Sequence, residues 1–450
     1  MKIEHVGEFV PSPVFGWDAM VVSAAVLGLV YCFIISERIN RAVISLLGAG
    51  LMIFLGVLNQ QTAIEGIDFN TIFLLIGMMV IVNVSKRSGM FQYVAIVSAQ
   101  FVKGNPRLLL IALSIVTAFF SAILDNVTTV LLVVPVTLLL TEQLKIPAYP
   151  FLFAQIFASN IGGTATLIGD PPNIMIGSAV NLSFMDFVYN VGPPAAIIMV
   201  VMLVIFDLIW GRKFNAAAEH RDVIMGYEPI EALEDKPLLF KALFVLSLVL
   251  AGFILGHDHG LQPGTIALTG AALLLLLDIY KFKPEEQSHR VHESFKLVEW
   301  ETIFFFVGLF IIVYGVEKSG LLSLMGAELL KISNNEIYSA GMIILWSSAV
   351  FSAIIDNIPF VATMIPLIES TSDAFGGEEN LMPLWWALSL GACLGGNGSI
   401  IGASANVMVA SFAERAGQRI SFIKFMVLGF PLMLVTIAIA AVYCHFVIFR

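Results

Sequence analysis

Charge is what this chain has least of. Asp, Glu, Lys and Arg make up 12% of its 450 residues, against about a quarter in a soluble globular domain. That deficit excludes a water-soluble fold, and the 58% apolar content and mean hydropathy of +0.92 assign the chain to a bilayer. Cysteine is nearly missing. Cys32, Cys393 and Cys444 are scattered, which excludes a disulfide framework and a zinc site and leaves them as small apolar filler. A basic n-region is missing too, since the first 20 residues set Lys2 against Glu4, Glu8 and Asp18. Residues 1–16 are therefore read as an extracytoplasmic tail before the first span and not as a cleaved signal peptide. With basic residues sorted to one side of the membrane, no face remains for nucleic acid, which is not an expected partner.

What fills the chain instead is a series of apolar runs long enough, or nearly so, to cross a bilayer. They fall at 17–36, 40–57, 69–84 and 184–210, then at 239–255, 262–280, 300–316 and 421–448. Shorter pieces at 89–102 and 321–331 are read as interfacial. Two further runs, 107–141 and 337–369, are broken by Asp125-Asn126 and Asp356-Asn357, which fits re-entrant hairpins. Another two, 149–180 and 382–415, are interrupted by glycine-rich stretches and read as discontinuous helices. Residues 211–238 are polar and are read as a cytoplasmic linker.

The two halves are copies. Gly77 and Gly308, Asp125 and Asp356, and Pro135 and Pro366 all lie 231 positions apart. Past the hairpins the spacing is 233, as for Gly162 and Gly395, Gly169 and Gly402, and Asn173 and Asn406. The expected fold is an all-α polytopic membrane protein of two repeats, 17–210 and 239–450, each with five spans, a hairpin and a broken helix. Five is odd, so the repeats are expected to be inverted. With the N-terminus outside, all 23 basic residues except Lys2, Lys318, Lys331 and Arg450 fall inside, the bias that the positive-inside rule describes. Both termini are then extracytoplasmic, and the hairpins enter from opposite faces so that their tips meet near mid-membrane.

A carboxylate within a hydrophobic segment is costly and by default marks an ion or substrate path. Two of them at matching places in a repeat mark a transporter. Asp125, Asn126, Asp356 and Asn357 are the candidate coupling-ion residues, taking a proton or Na⁺ on carboxylate and amide oxygens. The competing reading is that each Asp caps the second helix of its hairpin. Thr128 and Thr129 follow directly on the first tip. Asp170, within Gly169-Asp170-Pro171-Pro172-Asn173, is either a substrate or proton ligand or the N-cap of a half-helix starting at Pro171. The second break, Gly402-Ala403-Ser404-Ala405-Asn406, has no matching carboxylate. Asn173 and Asn406 are read as backbone-tying or ligand amides. Thr164, Thr166, Asn397, Ser399 and Ser404 are candidate cavity residues, each equally able to bond back to its own backbone.

Leu124-Asp125-Asn126-Val127-Thr128-Thr129 with Pro135, Asn160-Ile161-Gly162-Gly163 through Asn173, Asp356-Asn357-Ile358-Pro359-Phe360, and Gly391-Ala392-Cys393-Leu394-Gly395-Gly396-Asn397-Gly398 through Asn406 stand in this order. They resemble the P protein (pink-eyed dilution) branch of the arsenite-permease-like transporters. These belong to the ion transporter superfamily that includes the divalent anion–sodium symporters. The resemblance covers nearly the whole chain. It implies a scaffold and a moving transport domain, an elevator motion, a homodimer, and ions and substrate held at the tips and breaks. The chain departs from the dicarboxylate-symporter branch, whose tips look like Ser-Asn-Thr. Asp125 and Asp356 stand where that Ser would be, which favours proton coupling or antiport.

The expected function is secondary active transport of a small inorganic or organic ion across the inner (plasma) membrane, coupled to H⁺ or Na⁺. Anion or oxyanion cargo, arsenite included, ranks slightly ahead of Na⁺/H⁺ antiport. The half-helix N-terminus at Pro171-Pro172 attracts anions, whereas the twin Asp residues attract cations. No cofactor and no enzymatic activity are expected. An intramembrane aspartyl protease would use the two Asp residues as a dyad, but its Tyr-Asp and Gly-X-Gly-Asp contexts are absent. A channel on the same scaffold would use the tips for selectivity without obligatory coupling.

Overall fold

The computed structural model describes residues 10–36 and 38–450; positions 1–9 of the expected N-terminal tail lie outside the described residues. Every regular element among the described residues is helical, and nine helices are long and apolar enough to cross a membrane. Starts recur at the spacing read from the sequence. Phe69–Lys86 and Trp300–Lys318, Met90–Phe101 and Leu321–Ile332, Pro106–Ile123 and Ile337–Ile354, and Asn126–Gln143 and Asn357–Glu369 all begin 231 residues apart.

Packing repeats as well, and it is reciprocal. Helix Arg41–Phe54 packs on Trp300–Lys318, while Pro263–Ile279 packs on Phe69–Lys86. The crossings depend on glycine: a Cβ on Gly308 would come within 2.5 Å of the Ser45 carbonyl carbon, and one on Gly77 within 2.5 Å of the Ala267 carbonyl carbon. Small residues allow such backbone approach in membrane helices. Together with Ala19–Ser36 and Lys236–Leu255, these four helices form a six-helix body. The hairpins, the broken helices and the helices Gly192–Ile209 and Phe422–Tyr443 pack into a second, hairpin body.

Each hairpin turns where the sequence expects. In the first, Asn105 caps Pro106–Ile123, Leu124 is extended, and Asp125 caps Asn126–Gln143. In the second, Ile355 is extended and Asp356 caps Asn357–Glu369. The breaks separate Tyr149–Thr164 from Pro171–Ala179 and Met382–Gly395 from Ser404–Arg415. Helix arms of 18 residues are about 27 Å long, beyond half of a hydrocarbon layer of about 30 Å, so tips at mid-depth require slanted or protruding arms.

Three expectations are corrected. The run 184–210 is two helices, Phe184–Asn190 and Gly192–Ile209. A capping box between Ser183 and Asp186 starts the first, and Pro193-Pro194, which have no amide hydrogens to donate, sit where the second begins. The run 40–57 yields a helix of only 14 residues, Arg41–Phe54, followed by Gln60–Glu65. Pro284–Lys296 is a polar helix that the apolar-run reading passed over, although Pro284, Glu285 and Glu286 are helix-start signals. Its Arg290 lies 3.6 Å from Asp278, a buried carboxylate that also holds Arg87 at 2.7 Å.

Candidate functional site

The two tips and the two breaks come together in the hairpin body. Asn357, on the second tip, donates to Asp170 Oδ1 of the first break at 3.1 Å. Asn126, on the first tip, donates to Asn160 Oδ1 at 3.3 Å. Asn160 then donates across the repeat to Asn397 Oδ1 at 3.1 Å and Asn406 Oδ1 at 3.0 Å. Asn160 belongs to a motif that the sequence reading quoted but gave no role. It joins the two copies, as the Asn357–Asp170 bond and the bond from Ser389 to Asn173 Oδ1 also do. All of these asparagines are buried.

The remaining marked residues divide by their partners. Asn173 Nδ2 bonds the carbonyls of Thr164 and Thr166 at 3.1 and 2.9 Å, and Asn406 Nδ2 those of Gly396 and Ser399 at 2.7 and 2.8 Å. Of the two readings for these amides, backbone-tying is the one their donors satisfy. Thr166 and Ser399 each donate at 2.6 Å to a carbonyl in a hairpin's first arm, Ala122 and Ala353, which fastens hairpin to break. Thr164 bonds back to the Asn160 carbonyl. Gly169 leaves room for the Ser121 carbonyl, which a Cβ would approach to 2.5 Å. Asp170 stands at the N-cap of Pro171–Ala179, the position one of its two readings gave it, but its side chain makes no capping hydrogen bond there; Oδ1 accepts from Asn357 instead. Three marked residues keep a buried polar atom with no partner among the described residues, namely Thr129 Oγ1, Asp170 Oδ2 and Asn397 Nδ2. Orphaned polar atoms of this kind mark places where a ligand, water or proton belongs.

Two adjoining cavities reach the tips. The inner one, 20 Å³, is lined by Asp125, Asn126, Asp170, Asn357, Glu299 and Thr302 among others. About 10–15 Å³ is enough for one water, so it suits a single small species. The outer one, 620 Å³, is lined by Asp356, Ser404, Asn40, Arg41, Glu299, Glu301 and Thr302 with a largely apolar remainder. It lies at the helix ends that carry the basic segments. The expected grouping of Asp125, Asn126, Asp356 and Asn357 around one ion is thus divided, because Asp356 is absent from the inner cavity wall. Its carboxylate is drawn outward to Arg41, at 2.6 Å, and to Ser404, at 3.1 Å. Among the described residues no three His, Cys, Asp or Glu side chains converge closely enough to hold a metal ion.

Arg41 and Glu299 come from the six-helix body, and the sequence reading missed both. Each sits at a span end, where charged residues are ordinary. Arg41 donates to Ser404 Oγ at 2.8 Å and lies over the Phe305 ring, 5.1 Å from its centroid. Burial pushes the Glu299 carboxyl up to about 7, and nearby Asp125 adds to the effect, while the Thr302 hydroxyl and Arg41 oppose it. Asp125, by contrast, is closed on itself, with Oδ1 accepting from the Thr128 amide at 2.7 Å and Oδ2 from the Thr128 hydroxyl.

Known proteins resemble the chain at several levels. A family model described as CitMHS, citrate transporter, matches residues 31–391. An uncharacterized transporter of Mycobacterium tuberculosis is 40% identical over 427 residues, covering 94% of this chain and 97% of its own. Mouse P protein is 35% identical over 509 aligned residues, covering 95% of this chain and 60% of its own. Among solved structures, the Alcanivorax borkumensis YdaH transporter, described as having an unusual topology, matches with a TM-score of 0.60 over 95% of this chain and 98% of that one. At 13% identity this likeness is one of fold.

Proposed function

Because the chain belongs to the CitMHS citrate transporter family, we propose that this polytopic membrane transporter is a secondary active transporter of a small anion, coupled to H⁺ or Na⁺. One observation carries the reading: two hairpin tips and two helix breaks meet where the hairpin body faces the six-helix body. Opened backbone and amides at such a junction are the usual materials of a transporter site. Asp125 and Asp356 are the coupling-ion residues. Asp170, with one oxygen on Asn357 and the other unpartnered, is the third place for a proton or cation. An unpaired buried carboxylate is costly unless one of these neutralises it. The cargo occupies the outer cavity, whose volume admits a carboxylate or oxyanion with part of its water. The division into two bodies supports an elevator motion in the plasma membrane, the family resemblance supports a homodimer, and the sorting of basic residues supports extracytoplasmic termini.

A second reading, Na⁺/H⁺ antiport, is favoured by the charge around the cavities. Asp125, Asp170, Asp356, Glu299 and Glu301 face one basic residue, Arg41. The deciding experiment records currents from proteoliposomes on a solid-supported membrane. Citrate, arsenite, Na⁺ and H⁺ are offered singly and in pairs across pH. Citrate or arsenite current that needs a proton or Na⁺ gradient supports the first reading, and cation exchange with no anion supports the second. Current that never saturates and never shows counter-flow would sink both in favour of a channel.

A further inference from the structure

The ion pair between Arg41 and Asp356 crosses the seam between the two bodies. Arg41 opens the helix Arg41–Phe54 of the six-helix body, and Asp356 is the tip of the second hairpin, 315 residues later. At 2.6 Å the contact is a charge-assisted hydrogen bond. The Asp356 side chain is 11% exposed and that of Arg41 25%, so neither charge is left to bulk water. Ser404 bridges the two, accepting from Arg41 at 2.8 Å and donating to the carboxylate at 3.1 Å. Among the described residues, the other charged groups placed near Asp356 are acidic: Asp170 within the hairpin body and Glu299 and Glu301 on the six-helix body. Arg41 is the one basic side chain among the described residues on the wall of the outer cavity.

The repeat shows that this charge is present on one side only. Gly308 packs on Ser45 and Gly77 on Ala267, which aligns the helix Arg41–Phe54 with Pro263–Ile279 at a spacing of 222 (45 to 267). The counterpart of Arg41 is then Pro263, which carries no charge. We propose that Arg41 is a built-in stand-in for the coupling cation at Asp356, present on one face of the six-helix body and missing on the other. On the Arg41 face the guanidinium displaces the cation from Asp356 and promotes its release. It also neutralises the carboxylate when no cation is bound. Away from Arg41 no fixed cation competes, and Asp356 loads.

This inference rests on the reading of Asp356 as a coupling-ion residue, and its test has one arm that needs no cargo. Wild type, Arg41→Gln, Arg41→Lys, Asp356→Asn and Arg41→Gln/Asp356→Asn are purified as whole chains. Their melting is followed in NaCl against choline chloride, and at low against neutral pH. Arg41→Gln is expected to gain a stabilisation by Na⁺ or acid that wild type lacks, that the double variant loses, and that Arg41→Lys largely suppresses. A purely structural ion pair predicts a uniform fall in melting temperature with no new ion dependence, and that result overturns the proposal.

The second arm uses radiolabelled citrate as probe in proteoliposomes and compares net uptake with exchange against internal citrate. Arg41→Gln should lose net uptake at least about tenfold, as removal of one partner of a partly buried, hydrogen-bonded pair implies, while exchange falls no more than about threefold. Equal loss of both makes Arg41 a cargo ligand and overturns the proposal. Wild type inert to citrate counts against citrate as cargo, and the melting arm then decides the role of Arg41 alone.

Discussion

The two hairpin tips are near-identical in sequence, Phe120-Ser121-Ala122-Ile123-Leu124-Asp125-Asn126 against Phe351-Ser352-Ala353-Ile354-Ile355-Asp356-Asn357, yet their carboxylates live differently. The position three residues on accounts for the difference. Thr128 offers Asp125 an amide and a hydroxyl, which together occupy both carboxylate oxygens. Pro359, its counterpart, has neither donor. Asp356 is left with a long contact to the Ile358 amide, 3.3 Å, and turns to Arg41 and Ser404. Ser404 in turn stands where the first copy has Pro171, 233 positions earlier. Duplication set the geometry of both tips, and a few unpaired substitutions gave one tip an inward-turned carboxylate and the other an ion pair across the seam.

The strongest way to break this comparison is to remove each charge in turn. Asp125→Asn and Asp356→Asn should both abolish ion-coupled current with the protein still folded. Each removes a charged hydrogen-bond acceptor worth about 1.5–3 kcal/mol, or about tenfold to hundredfold in ion affinity. Wild-type coupling in either variant ends the assignment of that tip. Coupling lost only in Asp125→Asn would make Asp356 a structural ion-pair partner.

Next in size is an amide that connects the copies. Asn160→Ala strands Asn126, Asn397 and Asn406 amide atoms in a buried site. Each orphan costs about 1–3 kcal/mol, so a loss of about 3 kcal/mol and a clear drop in melting temperature are expected. An unchanged melt would show that the Asn160 bonds are not what holds the copies together.

How much of this could be read beforehand follows from where each residue conflicts with its surroundings. Asp125, Asp356 and Asp170 are carboxylates inside apolar runs, and the Gly-rich breaks oppose helix in otherwise helical stretches, so the hairpins, the breaks and the repeat were legible. Arg41 and Glu299 conflict with nothing locally, and their meaning comes from partners far along the chain. Asn160 looks like one more polar residue in a glycine motif until its bonds to Asn397 and Asn406, 237 and 246 residues away, are seen. Pro284–Lys296 is too polar to register as an apolar run, and only its local start signals mark it as a helix. The break at Val191 does carry local signals, the Ser183–Asp186 capping box before it and Gly192-Pro193-Pro194 after it, which the apolar run around them outweighs.

A smaller effect sharpens the comparison from the second tip. Pro359→Thr restores the donor pair that Asp125 enjoys, so the Asp356 carboxylate gains an alternative to Arg41. A cap contact of this kind is worth about 1 kcal/mol, enough to shrink the penalty of Arg41→Gln on net uptake from about tenfold to about twofold. If the penalty is the same in both backgrounds, residue 359 does not govern the difference between the tips.

An effect of similar size belongs to the acid that faces the first tip. Glu299 and Asp68 are repeat counterparts, 231 apart (68 to 299), at the starts of matching helices. Asp68 is an N-cap, accepting from the Thr71 amide at 3.2 Å and its hydroxyl at 2.5 Å. Glu299 makes no capping bond to its helix and has only the Thr302 hydroxyl, at 3.2 Å, with its carboxyl at about 7. Between the ordinary 4.5 and about 7 the folded protein keeps a proton that the unfolded chain gives up. Stability must therefore fall as pH rises through that window, by about 1–2 kcal/mol once screening at the cavity wall is allowed for. Glu299→Gln should flatten that part of the melting profile. Asp68→Ala should instead remove a cap, at a cost of about 1 kcal/mol. A profile between pH 4.5 and 7 that Glu299→Gln leaves unchanged would mean that Glu299 is solvated in the working protein and that the six-helix body offers the first tip no proton acceptor.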